Sequence, residues 1–106
     1  MRQFVVYRNR NKNTRALYPL LLNIQSDLIE ETGTRVVVPM VAATRGQSPP
    51  SISSLAPVME VNGAPYVLVV PLLAATEIAD LGSSEADLTD QRSAIMAALD
   101  LLISGI

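Results

Sequence analysis

The sequence contains no cysteine, no histidine and no tryptophan, and only 4% of its residues are aromatic. Without thiol or imidazole groups the chain has no disulfide bonds, thiolate metal sites, cysteine nucleophiles or histidine acid–base catalysts. Valine, leucine, isoleucine and alanine must therefore fill most of the core. The lack of cysteine is compatible with a reducing cytoplasm.

Long apolar segments are also missing, since no run approaches the roughly 18 to 20 residues that span a bilayer. The first residues, MRQFVVYRNRNKNTR, are strand-like and then basic, whereas a signal peptide is basic first and then apolar. We therefore expect a cytoplasmic protein without a membrane partner. A length of 106 residues with 49% apolar and 17% charged residues predicts one globular domain over residues 1–106.

No catalytic motif is present: the sequence has no glycine-rich phosphate loop, GxSxG, HExxH or EF-hand pattern. We expect no catalytic residues, no metal site and no cofactor, and hence a protein that is not an enzyme. The carboxylates lie in polar stretches that favour solvated surfaces. A metal-free nuclease that uses an arginine and a carboxylate stays open, with Arg35 or Arg45 and Glu60 as its candidates.

Charge is unevenly distributed along the chain. The net charge is −2, yet the first fifteen residues contain five cations, namely Arg2, Arg8, Arg10, Lys12 and Arg15. This basic segment indicates either contact with phosphate or an acidic peptide, or simply a solvated loop. Because no aromatic residues interleave a cationic cluster, direct nucleic-acid binding is disfavoured, and we expect no sequence-specific nucleic-acid partner.

Several short segments rich in β-forming residues predict strands separated by polar or proline-containing loops. Asn62-Gly63 is the preferred pair for a type I′ turn and predicts a hairpin within residues 57–70. Pro49-Pro50 predicts a loop over 45–51. The other predicted strands cover residues 3–7, 17–25, 35–40 and, as a shorter segment, 76–81.

The end of the chain has helical periodicity instead. Its apolar residues follow an i, i+4, i+7, i+11 pattern, which predicts a helix over roughly residues 90–103. They are Ile95, Leu99, Leu102 and Ile106. The start is ambiguous, because Thr89 is a candidate N-cap while Ser84 with Asp87 matches a capping box. Gly105 suits the position after the helix.

The opposite side of the predicted helix carries a small polar face made of Ala97, Asp100 and Ser104. This face is either free for a partner or merely solvated. Together, the segments predict a mainly β fold with one C-terminal helix packed on a small barrel or sheet.

Five strings in order resemble the CcdB family nearly end to end: QFVVY, NIQSDLI at 23–29, RVVVP at 35–39, ADL before the helix, and a final GI. The resemblance implies an SH3-like barrel that forms a homodimer. It also implies a toxin of a type II toxin–antitoxin system, either of the plasmid-maintenance kind or of the chromosomal kind. Such a toxin binds the A subunit of DNA gyrase, traps the enzyme on cleaved DNA without catalysing a reaction, and is neutralised by a CcdA-like antitoxin.

The resemblance also assigns roles by position. The gyrase-binding residues would be Ser26, Leu28, Ile29, Asp100, Ile103, Ser104, Gly105 and Ile106. The antitoxin-binding residues would be Gln25, Ser26, Asp27, Leu28, Ile29, Asp100 and Ile106. We expect Leu28 and Ile29 to be exposed, Ser26 and Asp27 to lie beside the helix end, and Ile106 to leave no tail that obstructs the contact. Gln3 and Phe4 match the start of the family's first strand.

One position departs from the family pattern, because Ser104 stands where the best-known members have tryptophan. Loss of an interface indole costs about 2 kcal/mol or more, and a serine hydrogen bond returns only about 0.5–1.5 kcal/mol. Two alternatives therefore stay open. One is a toxin-derived domain that binds antitoxin without poisoning gyrase. The other is an endoribonuclease toxin on the same barrel, although its RGD-type first loop is missing here.

Overall fold

A computed structural model describes residues 1–43 and 54–105 as a curled half-barrel sheet with one C-terminal helix. This confirms the predicted mainly β fold class. Within the described ranges, no helix has the length and apolarity of a membrane span. The elements are β1 (Val5–Asn9), β2 (Leu20–Asn23), β3 (Thr34–Ala42), β4 (Val58–Val61), β5 (Ala64–Leu68), β6 (Ala74–Glu77), β7 (Leu81–Asp87) and α1 (Arg92–Ser104).

The sheet curls because β3 is long enough to pair with two strands along one edge. Its first half, Thr34 to Val37, pairs antiparallel with β6, and its second half, Met40 to Ala42, pairs with β5. The continuous order is β4-β5-β3-β2-β1-β7. β4 and β7 are therefore the edge strands of this path.

The main core lies between the concave face of the sheet and α1. Alternate residues of the strands point into it, such as Val6, Leu22 and Val38, all 0% exposed. The helix contributes its predicted apolar stripe: Ile95, Ala98 and Leu99 are buried, and Leu102 packs against them. A second, smaller cluster occupies the other face and consists of Val5, Tyr7, Leu21, Val37 and Leu81.

Two predicted strands begin later than the pattern indicated. β1 begins at Val5, because Phe4 has a φ of 64° that no strand accommodates. β2 begins at Leu20, because Leu17 and Tyr18 both donate backbone hydrogen bonds to Thr14 O and complete a turn instead.

The predicted hairpin is confirmed: Asn62 and Gly63 both have positive φ, as a type I′ turn requires, and join β4 to β5. The loop predicted at 45–51 lies outside the described residues.

The segment before the helix was predicted wrongly. Residues 76–81 are not one strand, since β6 ends at Glu77 and a 3₁₀ turn over Ile78–Asp80 leads into β7. The capping-box pattern of Ser84 and Asp87 lies inside β7, a strand that the pattern had not indicated.

The helix itself begins at Arg92 after a 3₁₀ turn over Thr89–Gln91, and Thr89 does not cap it. Instead, an Asp87 oxygen accepts hydrogen bonds from both the backbone N–H and the hydroxyl of Thr89. α1 ends as predicted, with Gly105 in the left-handed region at φ 74° and its N–H donating to Leu101 O.

Two carboxylates of β7 couple the fold to pH. Hydrogen bonds from Thr89, with Arg2 3.5 Å away, lower the pKa of Asp87. The Arg8 guanidinium, 3.1 Å away, and the Ser83 hydroxyl lower the pKa of Glu85. A lowered folded-state pKa stabilises the fold above the unfolded-state pKa and loses that effect as pH falls through the folded value. Stability should therefore decrease as pH falls below about 4.

Urea unfolding of wild type and Asp87→Asn at about pH 6 and about pH 3 tests this coupling. Asp87→Asn should have the lower midpoint at the higher pH and a smaller loss between the two. Glu31→Gln, at an exposed carboxylate without a hydrogen bond among the described residues, is the control and should lose as much stability between the two pH values as wild type. An equal loss in all three proteins would contradict the role of Asp87.

Candidate functional site

The β2–β3 loop, residues 24–33, carries half of the predicted binding residues, and two amide side chains fix its start. Asn23 is fully buried; its Oδ1 accepts the Gln25 N–H at 3.1 Å, and its Nδ2 donates to Arg2 O at 3.0 Å. Gln25 in turn accepts the Val36 N–H on Oε1 and donates from Nε2 to Ile29 O at 2.6 Å. The loop is thus anchored to β3 and to the N-terminal segment.

A tight turn over residues 26–29 forms the tip of this loop. The Ser26 hydroxyl oxygen accepts the Leu28 N–H at 3.2 Å, and Ser26 O accepts the Ile29 N–H. Asp27 is held from the side, since its Oδ1 accepts the Gln3 N–H at 2.7 Å. The turn presents Leu28 at 90% exposure and Ile29 at 50%, which confirms that both are exposed. Neighbouring exposed apolar side chains mark interaction surfaces.

The end of α1 presents a second exposed group. Ile103 is 79% exposed, and the predicted small polar face of Ala97, Asp100 and Ser104 is exposed as well. The Ser104 hydroxyl donates to Asp100 O at 2.6 Å, so it is bonded within its own helix. Ile106, to which both binding roles were assigned, lies outside the described residues.

The loop and the helix share one core rather than a direct hydrogen bond. Ile24 at the start of the loop and Leu102 of α1 both pack against the main core. Among the described residues, no hydrogen bond joins residues 24–29 to α1. The placement of Ser26 and Asp27 beside the helix end stays a prediction.

Gln3 and Phe4, near the start of the chain, contact the β2–β3 loop and the residue before it through hydrogen bonds. Phe4 is 2% exposed; its N–H donates to Asn23 O at 2.7 Å, and its carbonyl accepts the Leu88 N–H at 2.8 Å. The Arg92 guanidinium lies 5.9 Å from the centre of its ring, within the range of a cation–π contact. Phe4 therefore belongs to the core, and Gln3 is the residue that holds the loop.

No sequence pattern indicated that Asn23 and Gln3 position the loop, because isolated amide residues form no periodicity. The candidates for a metal-free nuclease were Arg35 or Arg45 together with Glu60. Arg35 is 7% exposed and donates to Thr32 O and Thr34 O, at 3.0 and 2.8 Å. Arg45 lies outside the described residues, and no hydrogen bond or ion pair of the described part joins Arg35 to Glu60. Nor does that part contain a group of three His, Cys, Asp or Glu side chains suited to a metal ion.

A comparison with protein-family models agrees with these features. The model described as CcdB protein matches residues 3–105 of the 106-residue chain. The match extends from the residue that precedes Phe4 to the left-handed glycine after α1. It therefore includes the β2–β3 loop and the described end of the helix.

Proposed function

The chain belongs to the CcdB family and is thus a toxin of the CcdA/CcdB type, and from this premise we propose that it poisons DNA gyrase. In this proposal it binds the A subunit, traps the gyrase–DNA cleavage complex and thereby blocks replication and transcription. It acts in the cytoplasm, by binding alone and without catalysis. A CcdA-like antitoxin neutralises it by covering the same loop and helix end.

The observation that carries the proposal is the exposure of Leu28 at 90% on a loop whose backbone is fixed by hydrogen bonds. When a partner covers an exposed apolar side chain, the complex is stabilised by about 25 cal/mol per Å² of apolar surface removed from water. Because the loop is already ordered, binding costs little conformational entropy. Ile103 on α1 adds a second apolar group of the same kind, at 79% exposure.

A homodimer would present this surface twice around a two-fold axis. Such a symmetric pair of sites suits a target that is itself two-fold symmetric. We therefore include the dimer in the proposal, with one β2–β3 loop and one end of α1 from each copy.

Ser104 supports a second candidate, a toxin-derived domain that binds antitoxin but does not poison gyrase. Its hydroxyl already donates to Asp100 O, so that donor is not free for a partner. Serine also lacks the large aromatic surface of tryptophan, one of the residues in which interface hot spots are enriched. The difference between the two candidates thus depends on one side chain.

A gyrase cleavage assay with wild type, Ser104→Trp and Ser93→Trp separates them. Wild type should convert supercoiled plasmid to linear DNA in the presence of gyrase and ATP. Ser104→Trp should do so at roughly 30-fold lower protein concentration, the ratio for about 2 kcal/mol. Ser93, an exposed serine near the other end of α1, provides a matched control that should behave like wild type.

Each outcome has one meaning. Cleavage by Ser104→Trp alone would establish the second candidate for the natural chain. No cleavage by any of the three proteins, with dimers confirmed by sedimentation, would contradict gyrase as the target. RNA cut without gyrase would indicate the endoribonuclease instead.

A further inference from the structure

The β1–β2 loop, residues 10–19, forms a cleft that the proposed function does not use. The cleft measures about 450 Å³ and is lined by Arg8, Asn9, Arg10, Lys12, Arg15 and Pro19. Four of these six residues are cations, and no carboxylate is among them. We call it the basic cleft. The four cations lie close together in the sequence, and the fold brings them together around one cavity.

The loop that carries these cations is held in a defined shape. Asn9 is 5% exposed and donates from Nδ2 to Thr14 Oγ1 at 3.0 Å and to Tyr18 O at 2.8 Å. Its Oδ1 accepts the Asn11 N–H at 2.9 Å, and Asn11 O accepts the Arg15 N–H at 2.9 Å. The loop is thus a series of bonded turns, so a ligand need not order the backbone.

The positive charge of the basic cleft is only partly compensated. Arg8 pairs with Glu85 at 3.1 Å, and Asp80 approaches the loop through Asn11 Nδ2 at 3.2 Å. Arg10, Lys12 and Arg15 are exposed, and none forms a salt bridge within the described part of the chain. Of the four cations, Arg8 alone is paired with a carboxylate within the described part of the chain. An excess of positive charge remains on a protein whose net charge is −2.

Gly82 of β7 contributes to this arrangement. A Cβ at that position would lie 3.1 Å from Arg10 Cγ and 3.1 Å from Arg8 O. The aliphatic part of Arg10 thus passes over β7 at Gly82, which has no side chain to block it. Arg10, which packs against β7 at this point, is one of the residues that line the basic cleft.

The lining indicates which kind of polyanion fits. It contains no aromatic and no large aliphatic side chain, whereas peptide interfaces depend on such anchors. Protein–DNA interfaces are more polar and more positively charged than protein–protein interfaces, and guanidinium groups match the geometry of phosphate oxygens. Single strands are held largely by stacking on aromatic side chains, which are missing from the cleft. We propose that the basic cleft binds the phosphodiester backbone of duplex DNA without sequence preference.

This surface is separate from the candidate site. In the antiparallel β1–β2 pair, the β1–β2 loop lies at one end and the β2–β3 loop at the other, about 17 Å apart for five residues of strand. A protein bound through Leu28 could therefore contact DNA at the same time. The proposal does not depend on gyrase, because DNA binding can be measured without it.

Fluorescence anisotropy with a labelled duplex of about 20 base pairs tests the proposal through its salt dependence. Contact with three phosphates predicts a slope of about −2.7 for log K against log salt, or roughly 40-fold weaker binding at 200 mM than at 50 mM. Lys12→Gln/Arg15→Gln should reduce the magnitude of the slope by about 2 and weaken binding equally for unrelated sequences. Arg2→Gln/Arg92→Gln removes the same net charge outside the cleft and should keep the wild-type slope.

Three results would overturn the proposal: no binding by wild type at 50 mM salt, the same loss in both double variants, or displacement of DNA by polyglutamate of equal charge concentration. The last would assign the cleft to an acidic polypeptide. Circular dichroism and thermal unfolding check that the variants are folded. Arg10→Gln/Lys12→Gln serves as the second cleft variant, since glutamine retains the Cγ and Cδ that cross Gly82.

Discussion

Replacing Leu28 by asparagine is expected to raise the protein concentration needed for gyrase-dependent cleavage by about 30-fold, the effect of losing a 2 kcal/mol hot spot. The side chain is 90% exposed in the free protein, so the substitution removes no internal packing. Asparagine has nearly the same size but places an amide where the proposed contact would bury an apolar side chain. That amide would be buried without its hydrogen bonds, which costs free energy.

Leu17→Asn is the matched control, because Leu17 is also an exposed leucine, at 60%, on a turn at the other end of the β1–β2 pair. Both variants should unfold within about 0.5 kcal/mol of wild type, as exposed substitutions do. Equal cleavage by wild type and Leu28→Asn would remove Leu28 from the gyrase contact. An equal loss in both variants would show that the assay responds to a polar substitution at any exposed leucine.

Ile95→Ala is expected to destabilise the fold by about 2–5 kcal/mol, which approaches the whole stability of a small domain. Ile95 is 0% exposed and lies in the main core with Ala98 and Leu99, where α1 meets the sheet. Truncation leaves a cavity that rigid strands on the other side cannot fill by moving. Urea unfolding, with the midpoint and slope both determined, measures the change.

The control is Ile103→Ala on the same helix, with 79% of the residue exposed. It should change the free energy of unfolding by less than about 0.5 kcal/mol while weakening the gyrase interaction. The two variants together therefore test whether one side of α1 anchors the helix to the sheet while the other side contacts gyrase. Similar unfolding midpoints for Ile95→Ala and wild type would mean that α1 does not stabilise the sheet.

Sequence patterns predicted the secondary structure correctly where one physical effect dominated. The helix was predicted from four apolar residues, because burial on one side of α1 determines its sequence. The hairpin was predicted from Asn62-Gly63, because few residue pairs accept positive φ at both positions. In each case a local requirement selects the residues almost alone.

Prediction failed where the local pattern was weak or tertiary contacts decided. β7 has the sequence LGSSEAD and is half exposed at the edge of the sheet, so no apolar alternation indicated it. Its pairing with β1 fixes it as a strand. The φ of 64° at Phe4 likewise depends on distant bonds to Asn23 and Leu88, which no local window contains.

The candidate site was predictable only through the family resemblance. The apolar pair Leu28 and Ile29 is compatible with either a core or a surface, and composition does not distinguish them. Their exposure follows from the turn at Ser26 and from the Asn23 and Gln25 bonds that hold it. The basic cleft was partly visible as a charged segment, but the grouping of its cations depends on the fold of the loop.

The pairing of β1 with β7 also governs how the chain acquires this structure. The Arg8–Glu85 contact joins residues 77 apart in sequence, and each strand needs the other to complete the half-barrel. Such non-local closure slows folding relative to helical proteins. At ribosomal rates of about 5–20 residues per second, β7 follows β1 after roughly 4–15 s. Throughout that interval the edge of β1 that pairs with β7 has no partner strand, and such an open edge exposes a nascent chain to aggregation.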